Sequence, residues 1–564
     1  MPCVLSPLAG LPRGAAHTVT LETGQEPVTT TAGGCTIVMP AHRPQSLGGL
    51  VAVTGVGLLA GLLAAGCTNG PPARQQPGAH PHAAATRIAV PAGPGGVDVR
   101  AENARPGYPG WRITSPAQPH EIEGYTDHAS AQPGTMLRLF VSTAAAWFRV
   151  RALRFGWYGG TLARLVWTSP PIPGTRQPAA VVAAHGMVVA PWRPSLALPT
   201  AGWPPGSYLL RLDASSGAQQ YVPLVIRSPS VAGRVVLIQP TTTYQAYNLW
   251  GGYDLYQGPH HNPALRARVV SFDRPYRREH GAADFFAEEQ PLLSYAERLG
   301  LPLAYISSVD LDRDPHVLDG ARAVVSEAHD EYWSPAMRAT LTRARDRGAN
   351  LAFLGANEIY RRIRLGASPL GPDRIEVNYR NPREDPLYGI DNALVTANWP
   401  DPPAAAPESS LTGQVYACAA ARAPLVVTDP DGWIWAGTGA GPRMKLPNLI
   451  GKEFDTVDMS QPTPRPIEIL ARSPQTCAGR AVSSEVTYYV AASGAGVLNA
   501  GTEGWSCGLP TVAMVTNRCL TTSPPATEVA VIERATRTIL ETFARGPAGR
   551  VHPATDFLTG QVSH

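Results

Sequence analysis

Three short apolar runs between residues 233 and 380 each stop at a cluster of polar side chains, a pattern that constrains the fold more than any other in this chain. Arg234–Gln239 (RVVLIQ) leads into Gln239-Pro240-Thr241 through Tyr247-Asn248. Ala321–Ser326 (ARAVVS) leads into Glu327-Ala328-His329-Asp330-Glu331-Tyr332, and Asn350–Leu354 into Gly355-Ala356-Asn357-Glu358. Continuous apolar runs of this length belong to strands buried on both faces, as parallel strands are. Helix-like sequence lies between them: Leu292, Leu293, Ala296 and Leu299 recur at helical spacing. Ser334-Pro335 opens another helix with a capping residue followed by proline; Met337, Leu341 and Ala344 line one of its faces and Gly348 ends it. This β-α-β alternation predicts a three-layer α/β domain with a largely parallel sheet over residues 231–546. Ligands bind outside the carboxyl ends of such strands, so the three polar clusters are expected to converge on one crevice.

Leu301–Ile306 and Arg268–Phe272 read as further strands, and the sheet is expected to resume at Glu485–Ala491. Val529–Phe543 carries Ile532, Ala535, Ile539, Leu540 and Phe543 on one helical stripe, while Pro400–Pro407 reads as a surface insertion. Residues 86–230 have another character. Apolar runs recur every 8–12 residues or so between turn signals, and Phe148, Val150 and Ala152 alternate with Arg149 and Arg151, which predicts a β-sandwich. Trp157-Tyr158-Gly159-Gly160 reads as a sugar-stacking surface or, more simply, as an aromatic corner closing that sandwich.

An uncharged apolar stretch over 48–66 follows His42 and Arg43 and ends at Cys67. It is expected to be a lipoprotein leader with Cys67 as the lipidated residue, although Ala64 stands where leucine is usual. A plain membrane anchor, or a signal cleaved near Ala65, is the alternative. Met39 is a more natural start than Met1, so residues 1–66 read as an overlong start plus leader, 67–85 as a disordered tether, and 547–564 as a loose tail. Export to an oxidising compartment makes two disulfides plausible among Cys418, Cys477, Cys507 and Cys519, with three possible pairings. Lys445 and Lys452 are the only lysines, and no basic block appears, which argues against a nucleic-acid partner.

At the crevice, Tyr247 and Tyr256 lie after the first run and Glu331 after the second. Two phenolates and a carboxylate form a hard, anionic, all-oxygen set suited to a trivalent ion. His329, two residues before Glu331, faces the same way on an extended stretch and is a candidate general base; Asn357 is a candidate donor to an oxyanion. A tyrosine near a strand end is also a common half-buried packer, and the His-Asp-Glu run also fits a loop of solvated charges. The usual zinc-peptidase, serine-hydrolase and nucleotide-binding motifs are absent from the sequence.

The segments TTTYQAYNLWGGYDLYQ (241–257), VVSFDRPY (269–276), EAHDEYWSPAMR (327–338), LAFLGANEIYRR (351–362) and GVLNAGTEGW (496–505) resemble, in this order, blocks from the C-terminal region of the N,N-dimethylformamidase large (beta) subunit. That resemblance implies a class I glutamine amidotransferase-like (flavodoxin-like) α/β/α domain without the cysteine nucleophile. It also implies an amidohydrolase with a mononuclear iron, Fe3+, on Tyr247, Tyr256 and Glu331, with His329 and Asn357 beside it. Four departures stand out: Tyr247 and Tyr256 are much closer in sequence than the family's pair; no lysine matches the family's active-site lysine, Arg380 being the nearest basic residue; this chain gives no sign of the family's small partner subunit; and export is unusual for the family.

The leading expectation is therefore an exported hydrolase acting on a small-molecule amide. Its rival is a non-catalytic envelope lipoprotein that binds glycan or a protein partner. A carbohydrate-active enzyme using Asp330 and Glu331 is disfavoured, because adjacent residues on an extended segment point apart whereas glycosidase carboxylates flank one bond.

Overall fold

A computed structural model describes residues 96–511 and 525–556. The leader, Cys67, the tether, Cys519 and the last eight residues lie outside the described residues. Seven strands dominate the first part: β1 (Ile122–Thr126), β2 (Met136–Thr143), β3 (Trp147–Phe155), β4 (Ala163–Thr168), β5 (Leu196–Pro199), β6 (Gly206–Ala214) and β7 (Gln219–Ile226). β1, β2 and β5 form one antiparallel sheet; β7, β6, β3 and β4 form the main run of another. The two sheets face each other across Ile122, Leu137, Leu139, Val141, Phe148, Val150, Leu210 and Leu212, all buried. The alternation read in FRVRAL is what puts Phe148 and Val150 inside and leaves Arg149 and Arg151 half-buried. At the corner after β3, Tyr158 is buried and its hydroxyl donates to Glu102 at 2.9 Å.

The second part is organised by one nine-stranded sheet. Its strands are β8 (Val235–Gln239), β9 (Leu303–Ser307), β10 (Ala323–Ala328), β11 (Asn350–Gly355), β12 (Val415–Val427), β13 (Lys445–Thr456), β14 (Ile467–Cys477), β15 (Arg480–Val490) and β16 (Gly496–Asn499). They lie in the order β9-β8-β10-β11-β16-β15-β14-β12-β13. The first five are parallel and the remainder pair antiparallel. Helices α1 (Thr241–Ala246), α2 (Gln290–Leu299), α3 (Pro335–Asp346) and α4 (Ala526–Ala544) accompany it. Leu292, Leu293, Ile532, Ile539 and Phe543 share one core with Leu237 and Val325, whereas Met337 and Leu341 share the other with Val236, Ile238 and Val324. Successive β8 residues thus enter opposite cores, as period-two geometry requires.

The expected class I glutamine amidotransferase-like, flavodoxin-like α/β/α domain does not hold. The described residues are β-rich, 34% strand against 23% helix, with several sheets. Four long strands, β12–β15, make the far part of the central sheet antiparallel and need no crossover helix. Their sequences hide this. VYACAAARAPLVV and KLPNLIGKEFDT carry alanine, glycine and proline where a strand normally shows β-branched alternation. Arg268–Phe272 also departs from expectation, since Val269–Ser271 pairs with Gly371–Val377 in a separate three-stranded sheet.

Cys418 on β12 and Cys477 on β14 form a disulfide, with Cα atoms 6.1 Å apart; Cys507 is also disulfide-bonded. The described residues fall in one unit, and the two parts meet through buried polar groups. Arg154 of β3 pairs with Glu297 of α2 at 2.7 Å, both side chains fully buried. Ser207 donates to Glu289 at 2.6 Å. No helix among the described residues is long and apolar enough to cross a membrane.

Candidate functional site

The carboxyl ends of β8, β10 and β11 are bent into place by local backbone chemistry. Ala328 closes β10 with φ +54°, a left-handed conformation that costs a residue with a Cβ, and the amide of His329 turns back to Glu327 O at 2.7 Å. β11 ends against this turn. A Cβ on Gly355 would lie 1.9 Å from Ala328 O, so only glycine allows the approach. Asn357 and Ile359 then also take positive φ. From β8 the chain enters α1 rather than a loop, and that helix carries a threonine bracket. Thr243 Oγ1 accepts from the amide of Glu331 at 3.0 Å, and Thr242 Oγ1 donates to Tyr332 O at 2.8 Å. The TTTYQAYN segment thereby holds the segment that contains Glu331.

Three oxygens meet above this platform. Tyr247 OH donates to Glu331 Oε2 at 2.6 Å, Tyr256 OH lies 2.9 Å from the same oxygen, and the two hydroxyls are 2.5 Å apart. The phenol rings stack with centroids 4.4 Å apart. Glu331 Oε1 is held separately by Arg361 Nε at 3.0 Å. Glu331 and His329 are buried, and Tyr247 and Tyr256 are half-buried. A third phenol joins them: Tyr332 OH donates to Tyr256 OH at 2.9 Å, and Arg380 donates to Tyr332 OH at 3.3 Å with its guanidinium 3.7 Å above the Tyr256 ring. Arg278 covers the Tyr247 ring at 5.0 Å.

His329 sits at the edge of the triad. Its Nε2 is 3.6 Å from Glu331 Oε2 and 3.5 Å from Glu453 Oε2, and Asn357 Nδ2 donates to the same Glu453 oxygen at 2.6 Å. His329, Glu453 and Glu503 offer ligand atoms all within 4.8 Å of one another, a group able to hold a metal ion. Lys452 Nζ lies 2.9 Å from Glu288 and 3.0 Å from Glu503, neutralising part of that charge.

These contacts set the charges. Burial would raise the Glu331 carboxyl, but His329, Arg361 and Tyr247 hold it well below the usual carboxylate range. Burial and then Glu331 push the Tyr247 and Tyr256 phenols well above 10; Arg380 and Arg361 pull Tyr256 the other way. Burial disfavours the His329 imidazolium, yet Glu503, Glu331 and Glu453 outweigh it and raise the group well above its ordinary value. Burial pushes Asp455, whose Oδ1 accepts from the Asn357 amide at 2.8 Å, up to about 7.

The structure therefore brings together Tyr247, Tyr256, Glu331 and His329, with Asn357 behind His329. Asn357 gives its amide hydrogen to Glu453 instead of presenting it to the crevice, and its Oδ1 has no hydrogen-bond partner among the described residues. Arg380 does lie at the site, against Tyr256. Asp330 faces other neighbours, Thr243 and the Ser326–Glu358 pair, so it does not flank a common bond with Glu331. Sequence reasoning missed Tyr332, Arg361, Glu453 and Glu503. Tyr332 and Arg361 stand inside the EAHDEYWSPAMR and LAFLGANEIYRR blocks. Glu453 lies on an unrecognised strand, beside one of only two lysines in the chain, which was the available signal.

The donor set fits a hard trivalent ion. An ion about 2 Å from each oxygen is compatible with separations of 2.5–2.9 Å, and it would replace the protons now shared among them. Phenols raised by burial lose those protons only to a strong cation.

A family model described as N,N-dimethylformamidase beta subunit-like, C-terminal, matches residues 149–519. No curated protein matches the chain. A solved structure, a Paenibacillus sp. cycloisomaltooligosaccharide glucanotransferase complexed with cycloisomaltoheptaose, aligns at 11% identity over 47% of this chain with a TM-score of 0.14. The alignment spans 34% of that protein's length, and at such a score nothing about fold or ligand follows.

Proposed function

Because the chain belongs to the N,N-dimethylformamidase beta subunit-like, C-terminal family, we propose that it is an exported hydrolase of a non-peptide C–N bond in a small-molecule amide. The observation that carries this reading is the convergence of Tyr247, Tyr256 and Glu331 oxygens within 2.9 Å, with Arg361 occupying the other carboxylate oxygen. Tyr247, Tyr256 and Glu331 would hold a single Fe3+. Such an ion supplies Lewis acidity toward a carbonyl oxygen and makes a neighbouring water more acidic.

The remaining work falls to this chain's own groups. Arg361 orients Glu331 so that Oε2, not Oε1, faces the phenols. His329 carries a proton on Nε2, since the surrounding carboxylates favour its charged form, and delivers it to the departing amine nitrogen. Glu453, raised by burial and fixed by Asn357 at 2.6 Å, takes a proton from water. Arg278, over the Tyr247 ring, closes one wall against bulk water. The Cys418–Cys477 bridge supports export, because disulfides persist in oxidising compartments; a lipid anchor at Cys67 belongs to the same reading.

Metal analysis of the purified chain tests it. About one iron per chain, a visible phenolate-to-iron band lost in Tyr247→Phe and Glu331→Gln, and amine release from small N-alkyl amides are expected. A folded, metal-free protein that releases no amine would leave the non-catalytic envelope role.

A further inference from the structure

A second cleft, of about 560 Å3, lies where β7 and the segment before β1 approach the loops around Trp250 and Tyr276. Its volume falls in the range of small-molecule sites. Leu249, Trp250 and Tyr276 make the apolar wall; His120, Arg277 and His280 supply nitrogen groups at its edge. We propose that this cleft binds a small organic carboxylate with a flat apolar body.

Three observations carry the assignment. The first is charge. Among the described residues the Arg277 and His280 side chains have no ion-pair or hydrogen-bond partner, while Glu123, the acid of the cleft, is already taken by the ring and amide of His120, each at 3.2 Å. A guanidinium is the residue of choice for gripping a carboxylate through two parallel bonds. The second is the wall. Trp250 is only 5% exposed and its ring is fixed edge-to-face against Trp192 at 5.9 Å, which gives the cleft a rigid apolar side. The third is backbone. His120, Glu279 and His280 all hold positive φ, +67°, +49° and +57°, and such outliers gather where a loop must present a side chain. Gly281 pins that loop to β7, since a Cβ there would lie 2.2 Å from Tyr221 O. His280 is thus preplaced.

Two chain segments lead from the cleft to the crevice. Trp250 follows Tyr247 by three residues, Asn248 Oδ1 accepts from the Arg277 amide at 3.2 Å, and Arg278, next in sequence, covers the Tyr247 ring. A bound carboxylate therefore sits one residue from a group over the triad.

Isothermal titration calorimetry on the purified chain, with benzoate and its neutral analogue benzamide, tests the proposal. Benzoate is expected to bind, benzamide at least tenfold more weakly, and Arg277→Gln to weaken benzoate at least tenfold while Tyr247→Phe leaves its affinity unchanged. Equal affinity for the two probes, unchanged benzoate binding in a folded Arg277→Gln protein, or no benzoate binding to the wild type overturns it. Loss of benzoate binding in Tyr247→Phe would place the carboxylate in the triad crevice and overturn it as well. The Tyr247→Phe arm separates binding in this cleft from coordination of benzoate by an ion in the crevice.

Discussion

The Arg154–Glu297 junction and the Tyr247–Glu331 crevice are both buried, polar and ionic, yet they are satisfied in opposite ways. Arg154 spends every guanidinium nitrogen inside the protein: on Pro205 O, Phe155 O, the Tyr158 and Tyr305 hydroxyls, and both oxygens of Glu297. No atom of that pair is left over. In and around the crevice, Asn357 Oδ1, Asp330 Oδ2, Glu358 Oε1 and Glu327 Oε2 lack hydrogen-bond partners among the described residues, and acids outnumber bases. A closed network fixes two parts of a fold against each other; an acceptor-rich one asks for something else, a cation or a proton in motion. The lesson is that burial alone does not mark a site. Unbalanced burial does.

The contrast breaks most visibly at Tyr247. Tyr247→Phe should lower turnover of a small amide by roughly 10⁴-fold, about 5.5 kcal/mol of barrier, while shifting stability by no more than about 1.5 kcal/mol; parallel kinetics and thermal unfolding check both halves. Glu297→Ala should do the reverse. It leaves Arg154 buried without its partner and costs about 3–5 kcal/mol of stability, read by denaturant titration, with turnover per folded molecule unchanged. If Glu297→Ala abolished turnover in the folded fraction, the division between the two networks would fail.

Glu408 provides an intermediate case. One of its oxygens accepts from the Tyr416 amide at 2.9 Å, the other has no partner among the described residues, and burial raises the carboxyl from 4.5 to about 8. Because its folded value lies above its unfolded one, the neutral acid's contribution is full below about pH 4.5 and is lost as pH rises from there through about 8. Glu408→Gln should flatten that part of the stability–pH curve; an unchanged slope would show the acid to be already ionised. The smallest effect is expected at Tyr158→Phe, where the bond from Arg154 and the bond to Glu102 disappear and about 1–2 kcal/mol goes with them. Restoration of full stability in the double variant Tyr158→Phe/Glu102→Gln would show that the hydroxyl serves Glu102 more than Arg154.

Much of the crevice could be read before any coordinates. The runs RVVLIQ, ARAVVS and Asn350–Leu354 became parallel neighbours, and Ser334 Oγ does accept from the Met337 amide at 3.1 Å as a capping residue should. These features are local: apolar continuity, a cap and a proline act over a few residues. The strands carrying Glu453 and Cys418 were not legible, because alanine- and glycine-rich strands take their stability from partners distant in sequence. The same blindness made an α/β/α architecture look complete when nearly half the central sheet was antiparallel.

The sequence by itself determined that Tyr247, His329, Glu331 and Asn357 follow buried apolar runs. Tertiary structure alone decided that Tyr247, Tyr256 and Glu331 share one point, that Glu453 and Asn357 pair behind His329, and that Tyr332 and Arg380 brace Tyr256. Spacing along a chain is set by covalent geometry, whereas which strand lies beside which is set by burying both faces of a sheet at once, a condition no single segment contains.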